Sequence, residues 1–128
     1  MTSREDVQAY LDRLELPVEL VAPDMWRVMT PEDAELVVHF APPVLVMRVR
    51  VMQLPADPIK SAQLCRRLLE YNAHDLVHGS YGVEGDHVVL TDAMELADLD
   101  FSEFEASVDS LALALASHLS ALAPFGER

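Results

Sequence analysis

The chain has a single cysteine, Cys65, so no internal disulfide can staple its 128 residues. That thiol sits among helix-patterned residues, where a small buried hydrophobe in a reducing compartment is the expected reading. Basic residues are scarce in the second half. Residues 1–67 carry ten Asp/Glu against eight Arg/Lys, residues 68–128 carry twelve against Arg128 alone, and the formal net charge is −13. Nucleic acid is bound through a basic stripe that releases counterions from phosphate, so that partner class is excluded, and anionic membrane surfaces are disfavoured by the same acidic field. The first ten residues place acids where a secretory leader needs a positive start and an apolar run. No apolar run reaches the roughly 18 residues of a membrane span, so the expected location is the cytoplasm. Repeats, low-complexity tracts and linkers are also missing, which predicts one domain over residues 1–128.

Catalytic signatures are equally absent. Gly79, Gly82 and Gly85 lack the following Lys and helix start of a phosphate loop, and Ser80 and Ser102 have no recognisable His-Asp partners. His74 and His78 are four apart, with Asp75, Asp86 and His87 nearby, which is a metal-ligand spacing on a helix. The pair straddles an expected helix end, however, with His74 in the connection and His78 on a strand, so neither a metal nor a cofactor is expected. His39 and His118 each stand alone among apolar residues, where a hydrogen-bonded core or interface role is the expectation.

What is present is patterning. Thr2-x-x-Glu5 reads as a capping box opening an amphipathic helix over 3–15. Residues 18–22 read as a short strand or extended lead-in, and 25–29, 34–40 and 44–54 as strands, with Ala41-Pro42-Pro43 as a loop. Asp57-Pro58 opens a helix over 59–72 with Leu64, Cys65, Leu68 and Leu69 inward, and a hairpin follows across Glu84-Gly85-Asp86. Asp100 with Glu103 and Ser102 with Glu105 open a last helix. Its seam is Phe101, Phe104, Val108, Leu111, Leu115, His118 and Leu122. The order α-β-β-β-α-β-β-α, with strands grouped by tight turns, predicts an α+β fold: an antiparallel sheet of about five strands with helices packed on one face.

Period two sorts the strand faces. Trp26, Val28, Leu36, Val38, Phe40, Leu45, Met47, Val49 and Val51 fall on the core side. Arg27, Met29, Val37, His39, Val44, Val46, Arg48, Arg50 and Met52 fall on the other. That second face mixes Val and Met with three of the chain's nine basic residues, a composition suited to a protein contact. The second helix is apolar on adjacent faces at Leu64, Leu68 and Leu69, and the last helix is apolar over a wide arc. A homodimer is therefore expected, with Leu64 and Leu68 among the partner or dimer contacts.

With Leu68-Leu69-x-x-Asn72 closing a helix, a Gly-containing strand, a Gly turn, Val88-Val89-Leu90 and an acid-capped last helix, the chain resembles the YbjN-like proteins. These share their fold with the CesT-type chaperones of type III secretion. The likeness spans most of the chain, including Trp26 and the strand pair before the second helix. It implies a small acidic homodimer, without enzymatic activity, that holds another polypeptide on its sheet and helix surfaces. The other reading the residues leave open is a small-ligand or metal-binding protein, or an enzyme, with a pocket gathering His39, His78 and His87.

Overall fold

Helix α1 (Arg4–Arg13) is capped by Ser3, not by Thr2, in the computed structural model, which describes residues 1–126. Ser3 Oγ accepts from the Asp6 N–H while the Asp6 carboxylate accepts from the Ser3 N–H, so the capping box sits one residue later than Thr2-x-x-Glu5. Thr2 is drawn inward instead: its N–H donates to Leu96 O and its hydroxyl to Leu99 O, both at 2.8 Å, tying the first residues to the segment before the last helix. Arg128 lies outside the described residues.

Four strands follow, β1 (Val18–Ala22), β2 (Met25–Met29), β3 (Glu35–Ala41) and β4 (Val44–Gln53), then helix α2 (Pro58–His74). The hairpin β5 (Ser80–Glu84) and β6 (His87–Glu95) leads to helix α3 (Phe101–Leu122). All six strands form one antiparallel sheet in the order β1-β2-β3-β4-β6-β5, one strand more than the expected five. The extra one is residues 18–22, which Pro17 and Pro23 crowd in sequence but which β2 supplies with partners for Val18, Glu19, Leu20 and Ala22, the register slipping at Val21. Pro17 costs nothing there, because only its carbonyl is used, accepting from the Met29 N–H at 3.1 Å. Pro42 and Pro43 form the whole β3–β4 turn, since Ala41 and Val44 already pair across it.

One apolar cluster joins Val7 and Leu11 of α1, Leu64 and Leu68 of α2 and the α3 seam to Trp26, Val28, Leu36, Val38, Leu45, Met47, Val49 and Leu90 of the sheet. The three helices thus cover a single sheet face. Leu64 and Leu68, expected as partner or dimer contacts, are 0% and 4% exposed and are taken up by the chain's own core. Leu69, 67% exposed, is the one left over. A leucine next to Leu68 is turned by roughly 100° about the helix axis and cannot reach the same core.

The alternation in β4 fails at one place. The ladder to β6 slips between Arg50 and Met52, leaving Val51 as an extra residue, and Met52 falls opposite the core residue Val88. Met52 therefore packs against the core and not on the opposite face, because one inserted residue inverts the parity of everything after it.

In α3, Asp100 is the N-cap, and Phe104, Val108, Leu111, Leu115, His118 and Leu122 are buried as their spacing predicts. By length and composition, residues Phe101–Phe125 could cross a membrane. The inward seam is here the floor of the core, while Leu113 and Leu119 remain 60% and 51% exposed.

Candidate functional site

The sheet face turned away from the helices is built in rows by the strand register. One row runs Met25, His39, Val46, Ala93 across β2, β3, β4 and β6. The next runs Glu19, Arg27, Val37, Arg48, Thr91, Ser80 across all six strands. Of the residues assigned to this face from sequence, the structure brings together Arg27, Met29, Val37, His39, Val44, Val46, Arg48 and Arg50; Met52 is lost to the bulge. Val37 and Val46 sit half-buried at its centre, and His39, Arg48 and Arg50 are exposed.

Two of the three arginines are already matched within the chain. Arg27 donates to Glu19 and to Glu35, whose carboxylates raise its pKa above the ordinary guanidinium value, and Arg48 lies 3.3 Å from Glu84. Exposed pairs of this kind are screened by solvent, so they orient the side chains more than they hold the fold. Among the described residues Arg50 has no ion-pair partner. The face thus has an apolar centre with one uncompensated cation beside it.

The histidines do not converge. His39 is on β3 opposite Val46, whereas His87 begins β6 opposite Gln53, seven residues further along β4 and so about 20 Å away. Helix α2 runs on to His74, and His78 lies in the connection before β5, not on a strand. Among the described residues no group of three His, Cys, Asp or Glu is placed to hold a metal ion.

A buried polar cluster that sequence reasoning did not assemble joins α2, β5 and α3. The ring of His118 stacks on Tyr71 at 3.7 Å between centroids and 3° between planes. Its Nδ1 is 2.7 Å from the Tyr81 hydroxyl and its Nε2 is 3.1 Å from the Asp75 carboxylate. Both ring nitrogens of His118 therefore have a hydrogen-bonding partner, and the polar atoms of the seam are satisfied. The only sequence signal was one histidine interrupting an apolar stripe. Asn72 completes the join: its Nδ2 donates to Tyr81 O at 3.0 Å and its Oδ1 accepts from the Tyr81 N–H at 2.7 Å. A side chain thereby occupies the outward backbone groups of edge strand β5 where another strand would have to pair.

Burial, with the nearby Tyr71 and Asp75, raises the Tyr81 pKa well above the usual tyrosine value. A raised folded pKa means stability is complete below the unfolded pKa of about 10 and is lost as pH rises past it, because only the unfolded chain releases the proton. Urea midpoints between pH 8 and 11 should therefore fall more steeply in the wild type than in Tyr81→Phe. Equal slopes would remove Tyr81 as the cause.

The outer side of α2 carries a second exposed apolar surface. Ile59, Ala62, Arg66, Leu69 and Ala73 recur at helical spacing, and Ile59 is 70% exposed. Beside this stripe, Cys65, Leu69 and Val83 help line a groove of about 250 Å³ between α2 and β5.

The profile of the CesT_Tir_1 family matches residues 1–128. Among solved structures, the chain is similar to YbjN from E. coli, with TM-score 0.69 and 10% identity over 93% of this chain and 92% of that one. It is also similar to a chain of the heterodimeric ExoU–SpcU complex from the type III secretion system of Pseudomonas aeruginosa, with TM-score 0.67 and 18% identity over 94% and 98%. A chain of the HopA1–SchA chaperone–effector complex gives TM-score 0.62 and 11% identity over 85% and 86%. No curated protein matches the chain by sequence.

Proposed function

We propose, for a chain that belongs to the CesT_Tir_1 family, a non-enzymatic role in the cytoplasm: it holds another polypeptide on the helix-free face of its sheet and does so as a homodimer. The carrying observation is that face itself, where Val37 and Val46 stand half-buried with Met25 and Met29 beside them and no helix over them. A surface meant only for solvent would not spend four apolar residues there, and methionine repacks around varied side chains. The complexes of SpcU with ExoU and of SchA with HopA1 pair this fold with a second polypeptide, which supports the same reading here.

The dimer face proposed is the outer side of α2 with β5, not Leu64 and Leu68. The stripe Ile59, Ala62, Arg66, Leu69 and Ala73 combines small residues that let helices approach with two large apolar ones. A two-fold axis would set it against its own copy. Asn72 blocks main-chain pairing at Tyr81, so the copies would meet through side chains and not as a continuous sheet.

Two double substitutions separate the surfaces. Arg48→Glu with Val46→Asp should abolish partner capture while light scattering still gives twice the 14.2 kDa chain mass. Ile59→Asp with Leu69→Asp should give monomers. Monomers from the first pair would make the sheet face the subunit interface, and unchanged capture would remove it from function. A wild type that scatters as 14.2 kDa at micromolar concentration would end the dimer reading.

A further inference from the structure

A third surface lies between the C-terminal half of α3 and the sheet rim where β3 begins. Leu119 follows Leu115 by one helical turn, yet Leu115 is 8% exposed and Leu119 is 51% exposed. Leu119 is turned about 40° further round the helix axis, to the flank of the seam, and while His118 and Leu122 stay buried it borders a groove. Its walls are Val49 and Val51 on one side and Ala112, Leu115, Ala116 and Leu119 on the other, with small side chains leaving the space open. The groove holds about 260 Å³. That is below the roughly 300–1,000 Å³ of small-molecule sites, so it suits one or two inserted side chains better than a cofactor.

Its far rim is the β2–β3 turn, and the turn is preformed. The Thr30 N–H donates to Ala34 O at 3.0 Å, the Asp33 N–H to Thr30 O at 2.9 Å, and the Ala34 N–H to Thr30 Oγ1 at 3.0 Å. The buried Thr30 thus anchors Glu32 and Asp33 at the groove mouth. Neither acid has an ion-pair partner among the described residues, and Glu35 beside them is engaged by Arg27. Arg50 is the single base among the lining residues. An apolar floor under an acidic lip selects an apolar side chain with cationic neighbours and disfavours acidic ones.

We propose that this groove docks a segment of a partner polypeptide in which an apolar side chain is flanked by Lys or Arg. The site shares only Glu35 and Arg50 with the sheet face and does not depend on that reading.

The test uses the full-length protein and labelled short peptides with a central Leu, Ile, Met or Phe flanked by Arg, by Gln or by Glu, read by fluorescence anisotropy. At least one Arg-flanked peptide should bind roughly tenfold or more tighter than its Glu-flanked counterpart. That preference should collapse in Glu32→Lys with Asp33→Lys. Filling the groove with Ala116→Phe should weaken binding roughly tenfold. Two controls isolate the site: Glu103→Lys with Asp109→Lys makes the same charge change elsewhere on α3, and Val46→Asp with Arg48→Glu disables the sheet face. Both should retain binding. Equal loss in the α3 control would reduce the effect to net charge and overturn the proposal, as would the absence of binding by any Arg-flanked peptide. A fall in oligomer mass for Ala116→Phe would also overturn it, by making the groove a contact between copies.

Discussion

Leu111→Ala is expected to lower the unfolding free energy by about 2–5 kcal/mol, measured by urea denaturation. Leu111 is 1% exposed at the centre of the α3 seam, between Val108 and Leu115, and the sheet below it is close-packed with Leu90 and Met47. Removing its isobutyl group loses the transfer free energy of the buried methyl groups and leaves a cavity that neighbouring rigid strands cannot fill. Leu113 is two residues on, 60% exposed, and carries the same side chain. Leu113→Ala should therefore change stability by only about 0.5 kcal/mol, provided no partner is bound. A loss below about 1 kcal/mol at Leu111 would mean that α3 docks loosely or on its other face.

Gly79→Ala should cost about 2–4 kcal/mol, from left-handed backbone and overpacking together. Gly79 has φ +77°, and a methyl group there would lie 2.6 Å from Thr91 O and 2.7 Å from Leu111 Cδ2. The carbonyl belongs to the β6 ladder and cannot yield without breaking register. The leucine is itself locked in the core. Because one of the two clashes is with Leu111, the Gly79→Ala and Leu111→Ala losses should be less than additive in the double variant: the truncated side chain removes one obstacle and leaves Thr91 O in place. Full additivity would indicate that the Leu111 contact contributes nothing and that the cost comes from the backbone angle and Thr91 O. Gly82, where an added methyl meets nothing within 4 Å, is the control and should accept Ala with little change.

Several elements were readable because each depends on a neighbour close in sequence. Asp57 before Pro58 capped α2, Asp100 capped α3, and the three-four alternation named the α3 seam, including His118. The alternation in β2, β3 and the first half of β4 put Val37, Val46, Arg48 and their row-mates on one face, because side chains of an extended strand must alternate. The misreadings share a cause as well. Thr2 and Ser3 both satisfy a cap pattern, and the choice fell to Ser3 because Thr2 is needed at Leu96 and Leu99, almost a hundred residues away. The bulge at Val51 is invisible in a run of alternating Val, Met and Arg, since it is imposed by the register against β6.

The sequence by itself determined the class, the antiparallel grouping, the acidic surface and the absence of any motif that advertises chemistry, since these follow from periodicity, turn residues and charge count. Only the tertiary structure decided which apolar residues are spare. Leu64, Leu68 and Leu69 look alike in the chain, as do Leu115 and Leu119, and it is the direction each takes round its helix axis relative to the sheet beneath that buries one and leaves the next exposed. The same holds for charge: Arg27, Arg48 and Arg50 are equivalent in a list, but strands brought alongside them supply carboxylates to the first two and not to the third. Exposure and pairing are properties of what lies across a gap, and no local pattern encodes what the far side of that gap contains.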